Sequence, residues 1–318
     1  MSCLLWHEDR HIAHPEDSKL MTTFATVAAE FLERSGLAQK TLKSYESTLL
    51  PVLKRLGRVA MADLTRPMLE TYLNDLTHLS YTTHHRHQAI LQSLLNFAVE
   101  RHHLATNPIA TLHQRKPDRA KGEHESDEII RYLTPEQVQD VYTAVKTDVR
   151  LTAIIALLHR TGARIDELLS LDLEQVDLNA QKFQVIGKGN KQRWCFYSDD
   201  AAISLRKYLK YYQHPNHTAL FTAQHPKSHR ISRVSYSTIY KTWQRLIGPY
   251  ETLQGARLHD LRHTFATERV GLMSLEELRA LMGHQTIQTT LRYQKVTSHR
   301  AEMIARKAFD SLVFPTKQ

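Results

Sequence analysis

Tyr293 lies nine residues beyond His284, which closes a Leu-Met-Gly-His run at 281–284. Upstream stand His259-Asp260-Leu261-Arg262-His263, Thr161-Gly162-Ala163-Arg164 and a Gly187-Lys188-Gly189 turn. Together these supply one phenol, two arginines, one lysine and three histidines. That set can break and rejoin a phosphodiester without a metal ion, ATP or any other cofactor.

Attack on a phosphodiester poses three problems. The phosphate is anionic and repels a nucleophile, the nucleophile must shed a proton, and the departing sugar oxygen must gain one. Arg164 and Arg262 suit the first, because a guanidinium is permanently charged and its planar fork matches two phosphate oxygens. Each could instead make a structural ion pair, with Glu167 and Asp260 as nearby partners. Tyr293 suits the second: a phenol of pKa ~10 attacks at neutral pH only with a base and positive charge beside it. His259 is the first candidate to take its proton, since imidazole exchanges protons near neutrality. His263 competes, but its place just past Arg262 predicts that it points away from His259. His284 is placed to donate a hydrogen bond to a phosphate oxygen. Lys188, at a turn tip where two glycines allow close approach, suits the third as proton donor to the leaving oxygen. Lys191 is its near rival, and an ordinary exposed turn lysine is the plain alternative.

The composition agrees with a polyanionic partner. The net charge is +9 with 20 histidines uncounted, and each phosphate neutralised by Lys or Arg releases a counterion. Cys3 and Cys195 are the only cysteines, which argues against a disulfide framework or a cysteine zinc site. No run reaches the roughly 18 apolar residues of a membrane helix. Residues 1–17 carry charges and histidines where a signal peptide needs an apolar core. A cytoplasmic protein is expected, with no membrane partner.

Residues 1–20 lack a period and read as a tail. Phe24, Val27, Ala28, Phe31 and Leu32 mark one face of a helix. Further helices are predicted over about 41–56, where Pro51 should kink or divide the element, from Thr65, and over about 81–102. Residues 21–114 thus form a small helical domain. Residues 115–128 carry only charged, polar and small residues and read as a solvated linker, its basic half a possible DNA track. Thr134-Pro135-Glu136-Gln137 opens the second domain, 129–318, as a capping box. In it, helices are predicted near 150–159, from 164, and near 201–212, 235–247 and 261–270, with a short one from Ser274. The stretch 181–197 is the only convincing strand region, a hairpin around Gly187-Lys188-Gly189-Asn190. A last helix near 300–312 aligns Ile304, Ala308 and Leu312, either against its own domain or on a neighbouring subunit. The fold class is mainly α with a small β-hairpin.

The segments at 161–168, 185–193, 259–266 and 281–284, with Tyr293, resemble the active-site boxes of the tyrosine recombinases, the phage integrase family, and most of all its Xer-like group. Order and spacing agree over 129–295; the block 21–112 is a looser match to the family's helical SAM-like core-binding domain. The resemblance implies that Arg164, Lys188, His259, Arg262 and His284 activate and stabilise. Tyr293 would form a 3′-phosphotyrosyl link and release a 5′ hydroxyl. It further implies a two-domain clamp on double-stranded DNA with inverted-repeat core sites, four subunits in synapsis, and a bacterial, phage or mobile-element origin. With some twenty residues ahead of the first helix, no extra arm-binding domain is expected. Gln294-Lys295-Val296 departs from the small polar residue and His that follow the tyrosine in many relatives, without touching a proposed role.

Contacts outside the active site are expected from Arg86, in the cluster His84-His85-Arg86-His87, and from Arg230, Arg233, Lys241 and Arg245. A solvated face is the alternative for each. Two other functions stay open: a type IB topoisomerase-like nicking-closing enzyme, and a catalytically silent DNA-binding accessory factor of the same fold.

Overall fold

The computed structural model describes residues 22–123, 130–187 and 191–297. The tail, Lys188 and the expected helix near 300–312 lie outside the described residues. The chain divides into two compact units, one up to residue 129 and one from residue 130.

The first unit is helical: α1 (Phe24–Glu33), α2 (Gln39–Leu56), α3 (Arg66–Asp75) and α4 (Tyr81–Glu100). Thr23 caps α1 by accepting the Thr26 N–H on its hydroxyl. Phe24, Phe31, Leu49, Val52, Leu69, Leu91, Leu94 and Leu95 form the core. Two expectations are corrected here. Pro51 does not divide helix α2; Thr48, Leu49, Val52 and Leu56 bury one continuous face across it, and that packing outweighs one lost backbone bond. His84 and His87 do not face a groove. Both are buried, His84 Nε2 at 3.0 Å from the Leu73 carbonyl and His87 Nδ1 at 3.4 Å from the Tyr72 hydroxyl.

Part of the stretch read as a linker is fastened to this unit. Arg115 forms a two-pronged ion pair with Glu123, which also accepts the Tyr81 N–H at the start of α4. Residues 124–129 lie outside the described residues.

The second unit is built around α6 (Val149–Thr161), whose residues 153–159 are all buried. Helix α5 (Pro135–Val145) starts at the Thr134/Gln137 capping box. The short α7 (Ile165–Ser170) follows the turn at Gly162. A three-stranded antiparallel sheet has the order β1 (Val176–Asp177), β2 (Lys182–Ile186), β3 (Gln192–Phe196), with Val185 opposite Arg193. Phe183 and Val185 alternate inward on β2. Helix α8 (Asp199–Tyr211) packs on α6. A second hairpin, β4 (Thr222–Gln224) and β5 (Ile231–Arg233), corrects the expectation of a single strand region; strands this short show no alternation to read. Then come α9 (Tyr236–Ile247), α10 (Asp260–Arg269), α11 (Leu275–Met282), α12 (Ile287–Leu291) and a 3₁₀ segment, Arg292–Thr297. Helix α10 lies against α6, and this contact brings the second arginine box to the first. Among the described residues no helix is long and apolar enough to cross a membrane.

Ile239, Trp243 and Ile247 make the buried stripe of α9, and the Trp243 indole N–H donates to the Ala256 carbonyl at 3.1 Å. Trp243→Ala leaves a cavity and an unpaired carbonyl. It should lower unfolding free energy by about 3–5 kcal/mol, read as a fall in the urea midpoint; a variant within 1 kcal/mol of wild type would contradict this packing.

Candidate active site

The site is assembled from the ends of helices, where backbone polar groups lack intrahelical partners. Helix α6 stops at Gly162, whose φ is +63°. A Cβ there would sit 2.4 Å from the Phe265 ring of α10, so only glycine lets the two helices meet this closely. Two residues on, Arg164 caps α7. Its backbone N–H donates to Glu167 Oε2 and its guanidinium to Oε1, both at 2.8 Å. The structural partner considered for Arg164 is therefore real.

Glu167 also holds a residue that sequence reasoning did not single out. Arg193, pointing in from β3, donates to Glu167 Oε1 at 3.0 Å and Oε2 at 2.6 Å, and its Nε donates to the Leu281 carbonyl at 3.0 Å. Burial alone would raise the Glu167 carboxyl, but the Arg193 and Arg164 guanidiniums outweigh it and hold it at about 2. Arg193 also packs under Gly283, which ends α11 with φ +64°; a Cβ there would meet its guanidinium at 2.9 Å.

Arg262 is only 3 % exposed. Its Nη1 donates to the Gly162 carbonyl, and its Nη2 to the Met282 carbonyl at 2.6 Å. Burial, then the charges of Arg164 and Arg193, lower it to about 10, still charged at neutral pH. Asp260 is not its partner: that carboxylate turns back to the start of α10, accepting the Arg257 N–H and pairing with the Arg257 and Arg131 guanidiniums.

Tyr293 sits in the 3₁₀ segment and is 3 % exposed. Its ring is parallel to that of His284, centroids 6.2 Å apart. Its hydroxyl lies 2.9 Å from Nδ1 of His263. Burial raises the phenol, against the opposing pull of Arg262, Arg292 and Arg164. The nucleophile candidate thus lies within the field of both predicted arginines.

The histidines are arranged differently from expectation. His259 and His263 do not diverge; their rings meet edge to face, centroids 4.7 Å apart. Residues four apart share one face at the start of a helix, and this spacing was the available signal. His263, not His259, touches the phenol oxygen, while the His259 residue keeps an exposed surface. His284 Nδ1 is 2.9 Å from the Thr290 hydroxyl. Burial and the surrounding guanidiniums of Arg262, Arg164, Arg193 and Arg292 bring His284 down to about 3. His263 falls to about 3 through burial and then through His259, Arg257, Arg292 and Arg262. Burial and Arg262 also lower His259. Without a bound anion these imidazoles are neutral at physiological pH.

The structure therefore brings Arg164, His259, Arg262, His284 and Tyr293 together; Lys188 lies outside the described residues. Away from this cluster, Arg230, Lys241 and Arg245 are exposed, and Arg86 is exposed while donating to the Thr48 hydroxyl. Arg233 is turned inward instead, bound to the Leu169 and Leu171 carbonyls and paired with Asp172 at 2.6 Å. It fastens β5 to the chain just beyond α7.

Residues 131–300 match the model of the phage integrase family, and residues 24–115 match the phage integrase central domain. The chain belongs to the phage integrase family. Tyrosine recombinase XerD of Pasteurella multocida is 27 % identical over 300 residues, covering 90 % of this chain and 96 % of that protein. Tyrosine recombinase XerC of Haemophilus influenzae (strain PittEE) is 30 % identical over 220 residues, 67 % of this chain and 70 % of that one. The fold is shared with the Tn1549 transposon integrase solved with transposon right-end DNA (TM-score 0.69, 19 % identity, 90 % of this chain and 100 % of that chain). It is shared too with the XerH recombinase bound to a palindromic difH substrate (TM-score 0.64, 20 % identity, 83 % and 78 % covered). Membership of this family makes the chain a site-specific DNA recombinase of the tyrosine type.

Removing the Glu167 charge should strand two guanidiniums. Glu167→Gln is expected to cost about 3–5 kcal/mol at neutral pH. The carboxyl is lower in the folded state than its ordinary 4.5, so the stability it lends is full above that value and drains as pH falls toward about 2. Chemical denaturation at pH 7 and pH 3 should show a smaller loss on acidification in the variant; equal losses would refute the assignment.

Proposed function

We propose that Tyr293 attacks a DNA phosphodiester within an inverted-repeat core site, forming a 3′-phosphotyrosyl link and freeing a 5′ hydroxyl, and that four subunits exchange strands in synapsis. The observation that carries this reading is the convergence of the Tyr293 phenol with Arg262, Arg164 and His284 in one pocket whose carboxylate, Glu167, is already shared between two guanidiniums. Such a pocket has positive charge to spare for an anion.

In this mechanism Arg164 and Arg262 bind the non-bridging oxygens and stabilise the charge that builds on them in the pentacovalent transition state. His284, held by Thr290, donates to a phosphate oxygen. His259, with its open surface, meets the phosphate from the solvent side. Lys188, following Gly187 at the end of β2, gives its proton to the leaving 5′ oxygen. A 5′ hydroxyl from a second strand then attacks the phosphotyrosine and reverses each transfer. The bond energy stays in the covalent intermediate, so the cycle needs no nucleotide. Arg86, Arg230, Lys241 and Arg245 would meet phosphates outside the core, a role in which each adds affinity without sequence information. The reaction is assigned to the bacterial cytoplasm.

A nicked suicide duplex carrying the core site tests the reading. Wild type should accumulate a covalent protein–DNA adduct on a denaturing gel. Tyr293→Phe should form none while shifting the same duplex in a native gel. An adduct with Tyr293→Phe would overturn the choice of nucleophile.

A further inference from the structure

We propose that His263 is a further catalytic residue, the group that receives the Tyr293 proton as the phenol oxygen attacks phosphorus; this rests on Tyr293 being the nucleophile. Three observations converge on it. The Tyr293 hydroxyl is 2.9 Å from His263 Nδ1, within range for direct transfer. The two rings are in tilted contact, centroids 5.8 Å apart. His259, the other histidine of this helix start, contacts His263 rather than the phenol and keeps an exposed surface. The two histidines four residues apart thus divide the work: the outer one meets the incoming phosphate, and the inner one serves the nucleophile.

The proton balance closes. In the tautomer with its proton on Nε2, His263 accepts the Tyr293 O–H on Nδ1. As the phenol oxygen bonds to phosphorus, its proton passes to Nδ1. The bond from phosphorus to the 5′ oxygen breaks, and that oxygen takes a proton from Lys188. Religation returns both protons to their donors. The charged and titratable groups facing His263 are His259 and Arg262 from its own helix start, Arg257 from the preceding turn, and Arg292 and Tyr293 from the 3₁₀ segment. Burial first, and then the positive charge of Arg257, Arg292 and Arg262, keeps His263 neutral and ready to accept before DNA arrives. The scissile phosphate brings the negative charge that offsets it, so the transfer accompanies attack and does not precede it.

The test compares adduct formation by full-length wild type, His263→Gln, His263→Asn and Lys188→Ala. Each is assayed on suicide duplexes with an ordinary 5′ oxygen or a 5′ sulfur at the scissile position; sulfur leaves without needing a proton. His263→Asn keeps an acceptor close to the Nδ1 position but no basicity, and native gel shifts report folding and DNA binding. Both His263 variants should bind DNA normally yet cleave on the order of 10²-fold or more slowly. They should stay slow with sulfur, and their rates should climb about tenfold per pH unit as attack falls to the pre-ionised phenol. Lys188→Ala should be rescued by sulfur. Cleavage at the wild-type rate in either His263 variant would overturn the proposal, as would faster cleavage (a latch on the phenol), rescue by sulfur (a role on the leaving group), or restoration of the wild-type rate and pH profile by Asn (positioning alone). Tyr293→Phe is run in parallel: an adduct there would sink the nucleophile assignment itself.

Discussion

The site depends on a single buried cation. Arg262 has almost no exposed surface, and two of its nitrogens are spent on the backbone carbonyls of Gly162 and Met282. Those carbonyls belong to the ends of two different helices, one just ahead of Arg164 and the other just ahead of Gly283-His284. A guanidinium taken out of water must find such partners or lower its pKa. Here the requirement becomes an assembly rule: satisfying Arg262 places the first arginine box and the Gly-His turn on either side of it. The desolvation cost is not wholly offset, since Arg262 is lowered by Arg164 and Arg193 with one carboxylate shared among them. An anion entering this pocket therefore meets groups already fixed in place. That is the condition under which electrostatic stabilisation needs no reorganisation during the reaction.

Glu167 and Arg193 extend the same logic to the sheet. Their paired bonds, with the Arg193 bond to Leu281, link α7, β3 and the end of α11. Strand β3 pairs with β2, and the turn between these strands carries Lys188. Strand β3, and β2 through it, is thus tethered to the carboxylate that orients Arg164. A buried ion pair is weak evidence for net stability; its use here is to fix the register of three elements that approach from separate parts of the chain.

Much of this was legible because it is written in residue types with narrow physical roles. The Thr134 and Ser274 boxes announce helix starts and the paired arginines announce an anion, whereas the close contacts made at the left-handed turns of Gly162 and Gly283 come only with the packing. What escaped depends on long-range packing. Arg193 reads as one more polar residue of an edge-like strand, and nothing local says that it reaches Glu167, 26 positions away. His84 and His87 look like part of a basic surface cluster until α3 is packed over them to supply the Leu73 carbonyl and the Tyr72 hydroxyl. Pro51 looks like a break, yet the core on either side of it is continuous. The His259–His263 contact follows from spacing alone: residues four apart share one face of a helix, whatever the direction of the intervening Arg262.

The placement of Tyr293 sets a final constraint. The phenol is borne by a short 3₁₀ segment following the five-residue α12, not by one of the long core helices. Isolated helices this short are marginal, so the position of the phenol must be set by side-chain contacts more than by its backbone. Those contacts include the parallel His284 ring, the His263 nitrogen and the apolar cluster of Phe265, Leu278 and Met282. Both imidazoles are held neutral by burial and by the guanidiniums around them. A charged imidazole could not accept the phenol hydrogen, and it would add to a pocket already rich in positive charge. Burial therefore keeps the nucleophile protonated and the two imidazoles keep it seated, while the cations that prepare the pocket for a phosphate pull the phenol toward ionisation.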